Sequence, residues 1–127
     1  MSKEPVLGLD FLGTISDHPE FFSLLSNLWR GKVVIISHAD NIEILQIHLN
    51  RFNIRYDKVI CIPANMTKAQ VVIEEGVDFY FDDGERNHCN IPASVSTFLV
   101  RGDGNFDFEK NRWKMDQKRY EMQKNAD

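Results

Sequence analysis

The stretch Val6-Leu7-Gly8-Leu9-Asp10-Phe11-Leu12-Gly13-Thr14 decides how the rest of the chain is read. A short apolar run ends in one carboxylate and a Gly-Thr pair follows closely, so a buried strand delivers an acid into a tight turn. Open α/β sheets keep their chemistry at such strand ends.

Working outward, four further stretches have strand character. Val33-Val34-Ile35-Ile36 is a β-branched run between Arg30-Gly31-Lys32 and Ser37, the pattern of a strand buried on both faces. Lys58 to Ile62 stops at Pro63, Val77 to Phe81 runs into Asp82-Asp83-Gly84, and Val95 to Val100 follows Pro92. Helical patterns lie between them. Pro19 to Trp29 places Phe22, Leu25 and Trp29 on one face, with proline suited to the first turn. Asp40 with Glu43 has capping-box spacing and opens a helix to about Asn53, its stripe being Ile42, Leu45, Leu49 and Phe52. Thr67 with Gln70 repeats that spacing before Ala69, Val71 and Val72, and Gly76 closes the segment. Strands alternating with helices at intervals of roughly 20 to 25 residues predict right-handed crossovers and a parallel sheet. The expected fold is a doubly wound, Rossmann-like three-layer α/β/α sandwich on five parallel strands.

The 127 residues allow one domain with a real core. Residues 1–105 carry the α/β pattern, and from 106 to 127 the chain turns charge-rich. There Phe106, Trp113 and Tyr120 recur every seven residues, as do Phe108, Met115 and Met122, predicting an amphipathic helical extension packed on the sheet or on a partner. With 43% hydrophobic and 27% charged residues the composition is that of a soluble globular protein. A net charge of −4 provides no general attraction for nucleic acid or anionic membranes. There is no signal-peptide pattern and no apolar run near the roughly 18 residues of a membrane span, so a reducing, cytoplasmic setting is expected. Cys61 and Cys89 form no CxxC pair, which argues against zinc or a disulfide.

Polar residues collect at the strand ends: Asp10, Ser37 and Asp82-Asp83, with Lys68 opening the helix before the fourth strand. In a parallel sheet these converge on one crevice. Gathered carboxylates repel one another and favour a hard divalent cation, and oxygen-only ligation by few protein groups suits Mg²⁺. A carboxylate beside Mg²⁺ is able to attack phosphorus and form an aspartyl phosphate, while lysine and serine stabilise the nonbridging oxygens. A cation in a first helical turn opposes the macrodipole by about 0.3–1 kcal/mol, so another interaction is expected to hold Lys68 there. His38, next to Ser37, either lines the crevice or is a hydrogen-bonded structural histidine.

In these residues the chain resembles the haloacid dehalogenase superfamily of phosphotransferases. That family has four motifs in order, matched here by Asp10-Phe11-Leu12-Gly13-Thr14, Val33-Val34-Ile35-Ile36-Ser37, Lys68, and Phe79-Tyr80-Phe81-Asp82-Asp83, over approximately residues 5–100. The resemblance implies that Asp10 is the nucleophile and that the Leu12 backbone carbonyl helps hold Mg²⁺. It also implies that Asp82 and Asp83 supply or position the remaining metal ligands. Ser37, His38, Lys68 and Thr14 would then serve the phosphate, Lys68 also acting in catalysis.

Two departures qualify the activity. The family's phosphatases usually carry a second Asp two residues after the nucleophile as general acid/base, and this chain has Leu12. Losing such a group costs on the order of 10² to 10⁴ in rate. Either the leaving group needs no protonation, or Asp17, His18 or His88 acts instead, or turnover has been lost and binding kept. The alternative to a weak phosphatase is therefore a degenerate domain that binds a phosphorylated ligand or a protein. Short connections after the first and third strands leave no room for a cap domain, which implies an open crevice, a large phosphorylated substrate, or closure by a neighbouring subunit of a homo-oligomer. A receiver domain also gathers acids and a lysine, but its phosphoacceptor ends the third strand, where this chain has Ile62-Pro63.

Overall fold

A computed structural model describes residues 3–101 and 106–113. Strand β1 (Leu7–Leu9) leads through a tight turn, Phe11–Ile15, to helix α1 (Pro19–Leu28). Then come β2 (Val33–Ser37), α2 (Ile42–Arg51), β3 (Lys58–Cys61), α3 (Ala69–Glu74) and β4 (Phe79–Asp82). A 3₁₀ turn, Glu85–His88, precedes β5 (Ser96–Leu99). The five strands form one all-parallel sheet in the order β3-β2-β1-β4-β5, the doubly wound α/β fold expected from the strand–helix alternation, with no cap inserted.

The two faces of the sheet follow from strand periodicity. Leu7, Leu9, Val33 and Ile35 pack with Phe22 of α1 and Leu45 and Leu49 of α2. Val34 and Ile36 turn the other way and pack with Val72 of α3, Val77 and Tyr80. Every residue of β2 is buried, which is why the run carries no polar alternation. Each such Val or Ile contributes about 1.5–3 kcal/mol of burial. The strand order reverses between β1, which winds outward through β2 and β3, and β4, which pairs with β5. That reversal is the switch point where an open sheet leaves a crevice outside its carboxyl ends.

Both expected capping boxes are corrected. Asn41, not Asp40, caps α2: its side-chain oxygen accepts from the Glu43 and Ile44 backbone N–H groups at 2.9 and 3.1 Å. Ile42 is consequently the first helical residue, still exposed, and only Leu45, Leu49 and Phe52 of the expected stripe reach the core. Thr67 makes no capping bond to α3; Lys68 occupies the cap position, and Gln70 donates to Glu74. The cause is tertiary, because the Lys68 side chain is tied to two carboxylates beneath the helix start. Gly76 does end the segment, at φ +66, with Gly76 N donating to Ile73 O and Val77 N to Val72 O in a Schellman closure.

The helix expected from 106 onward is also corrected where it is described. Phe106–Asp107 and Arg112–Trp113 pair as a small antiparallel hairpin, turned by Asn111 at φ 54. The Asp107 side chain accepts from the Glu109 and Lys110 N–H groups, a local turn that competes with helix. The remainder, 114–127, lies outside the described residues. No helix among the described residues is long and apolar enough to cross a membrane.

Candidate active site

Register brings the acids together. Leu9 pairs with Phe81 across β1 and β4, and Asp10 N donates to Phe81 O at 3.0 Å, so Asp10 and Asp82 stand side by side one residue further on. Adjacent strands lie about 4.8 Å apart, too close for two unshielded buried carboxylates. Lys68 fills the gap, bonding Asp10 Oδ1 directly and Asp82 Oδ2 at 3.0 Å. The lysine is 1% exposed, Asp10 4% and Asp82 0%. This double ion pair is the interaction that holds a cation at the start of α3. An ammonium has three N–H donors, so one remains after these two bonds.

Asp82 has no spare acceptor capacity. Its Oδ2 takes Lys68 and the Tyr80 hydroxyl, and its Oδ1 takes Gly84 N at 2.8 Å and Asn87 Nδ2 at 3.1 Å. The His88 ring donates from Nε2 to the Asp82 carbonyl at 3.0 Å. Burial first, then Asp82, holds the Tyr80 phenol far above its ordinary range, so it remains a donor. Tyr80 is a site residue that the sequence reading does not single out, although strand periodicity puts residues two apart on one face and so aligns it with Asp82.

Asp83 differs in being exposed. The turn after β1 leans on it: Gly13 has φ +82, and a Cβ there would stand 2.1 Å from Asp83 Oδ2. Only glycine accepts both that backbone angle and that approach. One oxygen each from Asp10, Asp82 and Asp83 lie within 4.8 Å of one another. Burial pushes the Asp10 carboxyl up from 3.8 to about 7, with Lys68 pulling it down and Asp82 and a hydrogen bond with Asp83 adding to the rise.

A cavity of about 500 Å³ opens over this cluster, walled by Asp10, Phe11, Leu12, Ser37, His38, Ala39, Lys68, Asp83 and Asn87. Ser37 Oγ accepts from Ala39 N at 3.2 Å, which leaves its hydroxyl proton to donate into the cavity. Leu12, two residues after Asp10, is 75% exposed on the cavity wall. Of the residues expected on the phosphate, Ser37, His38 and Lys68 line the cavity, and Thr14 does not. Thr14 is fully buried and donates to Asp10 Oδ2 at 3.0 Å, so it orients the carboxylate. Asp17, His18 and His88 are not on the cavity wall.

Comparison with protein-family models, curated proteins and solved structures found no match to this chain.

Proposed function

We propose that the chain is a Mg²⁺-dependent phosphohydrolase or phosphotransferase of the haloacid dehalogenase type, acting through an aspartyl phosphate on Asp10. The observation that carries this reading is the Asp10–Lys68–Asp82 junction at the floor of an open cavity, with Asp83 pressed against the Gly13 turn. An acid buried this deeply and joined to a lysine that retains a free donor is arranged for reaction with an anion.

The donor set suits a hard cation: it contains carboxylate oxygens alone, and Asp10 and Asp83 keep lone pairs that Asp82 has already committed. Asp10 and Asp83, with the Leu12 carbonyl, would hold Mg²⁺, and Asp82 would position Lys68 and Asn87. Bound there, Mg²⁺ supplies charge neutralisation for the phosphoryl oxygens. The remaining work falls to side chains. Thr14 orients the Asp10 carboxylate, whose oxygen bonds to phosphorus as the phosphorus–leaving-oxygen bond breaks and its electron pair departs with that oxygen. Lys68 and Ser37 donate to the nonbridging oxygens, where charge accumulates. An uncapped cavity accepts the phosphorylated end of a large molecule as readily as a small ester.

With an aryl phosphate, whose leaving group needs little protonation, turnover should require Mg²⁺ and vanish in Asp10→Asn. Undiminished turnover in that variant sinks the mechanism. Leu12 at the rim favours a second reading, a domain of the same descent that binds a phosphorylated ligand or protein without turnover. Leu12→Asp separates the two. From an active parent it should raise alkyl phosphate hydrolysis about 10²-fold or more, whereas a parent inert even on aryl phosphates that gains activity identifies the binding domain.

A further inference from the structure

We propose that His38 is the general base that activates water against the aspartyl phosphate on Asp10, an assignment that rests on the phosphotransferase reading above. With leucine at position 12, the second half-reaction lacks a base, and the sequence offers Asp17, His18 and His88 in its place. Geometry removes them. His88 spends Nε2 on the Asp82 carbonyl, Asp17 is exposed and engaged by the Ser16 hydroxyl at 3.4 Å, and neither they nor His18 reach the cavity wall. His38 is on that wall.

The tautomer follows from one contact. His38 Nδ1 lies 3.2 Å from the Pro63 carbonyl oxygen. A carbonyl only accepts, so Nδ1 carries the proton and Nε2 of the neutral ring holds a lone pair. Nε2 has no hydrogen-bond partner among the described residues, and His38 lines the cavity while Pro63 does not. A ring held by a backbone carbonyl at one nitrogen and open at the other is the arrangement of an oriented base. The charged groups that share the cavity wall with it are Asp10, Lys68 and Asp83, and Asp40 follows two residues further along its own loop.

The step balances. The water oxygen bonds to phosphorus as the bond from phosphorus to the Asp10 oxygen breaks. That electron pair returns to the Asp10 carboxylate, the water proton passes to His38 Nε2, and inorganic phosphate leaves. The imidazolium then returns its proton to solvent.

The test uses the full chain, Mg²⁺ and p-nitrophenyl phosphate, with rapid acid quench to count acyl phosphate and nitrophenolate. His38→Asn keeps a donor for Pro63 and lacks the basic nitrogen. It should release the first equivalent of nitrophenolate within about threefold of the parent rate, while steady turnover falls about 10²-fold and acyl phosphate accumulates. Added imidazole should restore part of the rate to the variant. Equal discharge in both proteins overturns the assignment alone. So does a matching fall in burst and turnover, which marks His38 as a phosphate-binding residue. A parent that forms no acyl phosphate on Asp10 refutes the phosphotransferase reading and this assignment with it.

Discussion

Asp10→Asn should stabilise the protein as it removes the proposed nucleophile, and the gain should grow with pH. The amide retains both contacts, its oxygen accepting from Lys68 and its NH₂ donating to the Thr14 hydroxyl, while Lys68 and Asp82 remain as a balanced pair. What disappears is the cost of ionising a second buried carboxylate. The folded protein holds the Asp10 proton up to about 7, whereas the unfolded chain releases it near 3.8. Between those values the folded state binds more protons, so the parent loses stability as pH rises through the window. At about 1.4 kcal/mol per pH unit the full span amounts to on the order of 4 kcal/mol, and asparagine is spared that loss. Urea unfolding of both proteins in EDTA at pH 4.5, 6 and 8 measures it. We expect the variant's advantage to be about 1 kcal/mol at the lowest pH and to grow by at least about 1 kcal/mol more by the highest. A variant no more stable at pH 8, or a difference flat across the series, refutes the claim that Asp10 is ionised at a cost in the fold.

Two further predictions concern the same cluster. Because Asp10 carries a proton below about 7 and would have to ionise to serve as the proposed Mg²⁺ ligand, Mg²⁺ affinity should rise with pH up to that value and then level. Calorimetry at pH 6 in two buffers of different ionisation enthalpy should show close to one proton released per ion, and Asp83→Asn should abolish binding. Gly13→Ala sets a Cβ 2.1 Å from Asp83 Oδ2 at a backbone φ of +82, and should cost about 1–3 kcal/mol together with most Mg²⁺ binding. Unchanged calorimetric affinity in that variant would show that the Gly13–Asp83 approach plays no part in holding the ion.

Which parts of this protein are legible in its sequence follows from the range of the forces involved. Strand and helix positions are readable because burial imprints its period locally. The unbroken run Val33–Ile36 announces a strand covered on both faces, and Phe22, Leu25 and Trp29 announce one side of a helix. The acids at strand ends are readable because a carboxylate that closes an apolar run contrasts with everything before it. Caps are misread by a residue because Asp40 and Asn41 are chemically alike, and only the chain's path after β2 selects between them. The 106–113 hairpin is not legible because a seven-residue recurrence of aromatics fits a helix, whereas the local Asp107 turn depends on backbone geometry.

By itself the sequence determined the alternation of strands and helices, the doubly wound sandwich it implies, and the identities of the residues at the carboxyl edge. Tertiary structure decided how those residues divide the work. Only the pairing of β1 with β4 places Asp10 against Asp82 and draws Lys68 between them. Asp82 and Asp83 are equivalent as letters, yet one is saturated by four donors beneath the surface and the other stands open beside Gly13. Thr14 turns inward to the Asp10 carboxylate, and His38 is oriented by a carbonyl 25 residues away. Hydrogen-bond saturation and tautomer are properties of neighbours brought together by the sheet, and no local pattern in the chain encodes them.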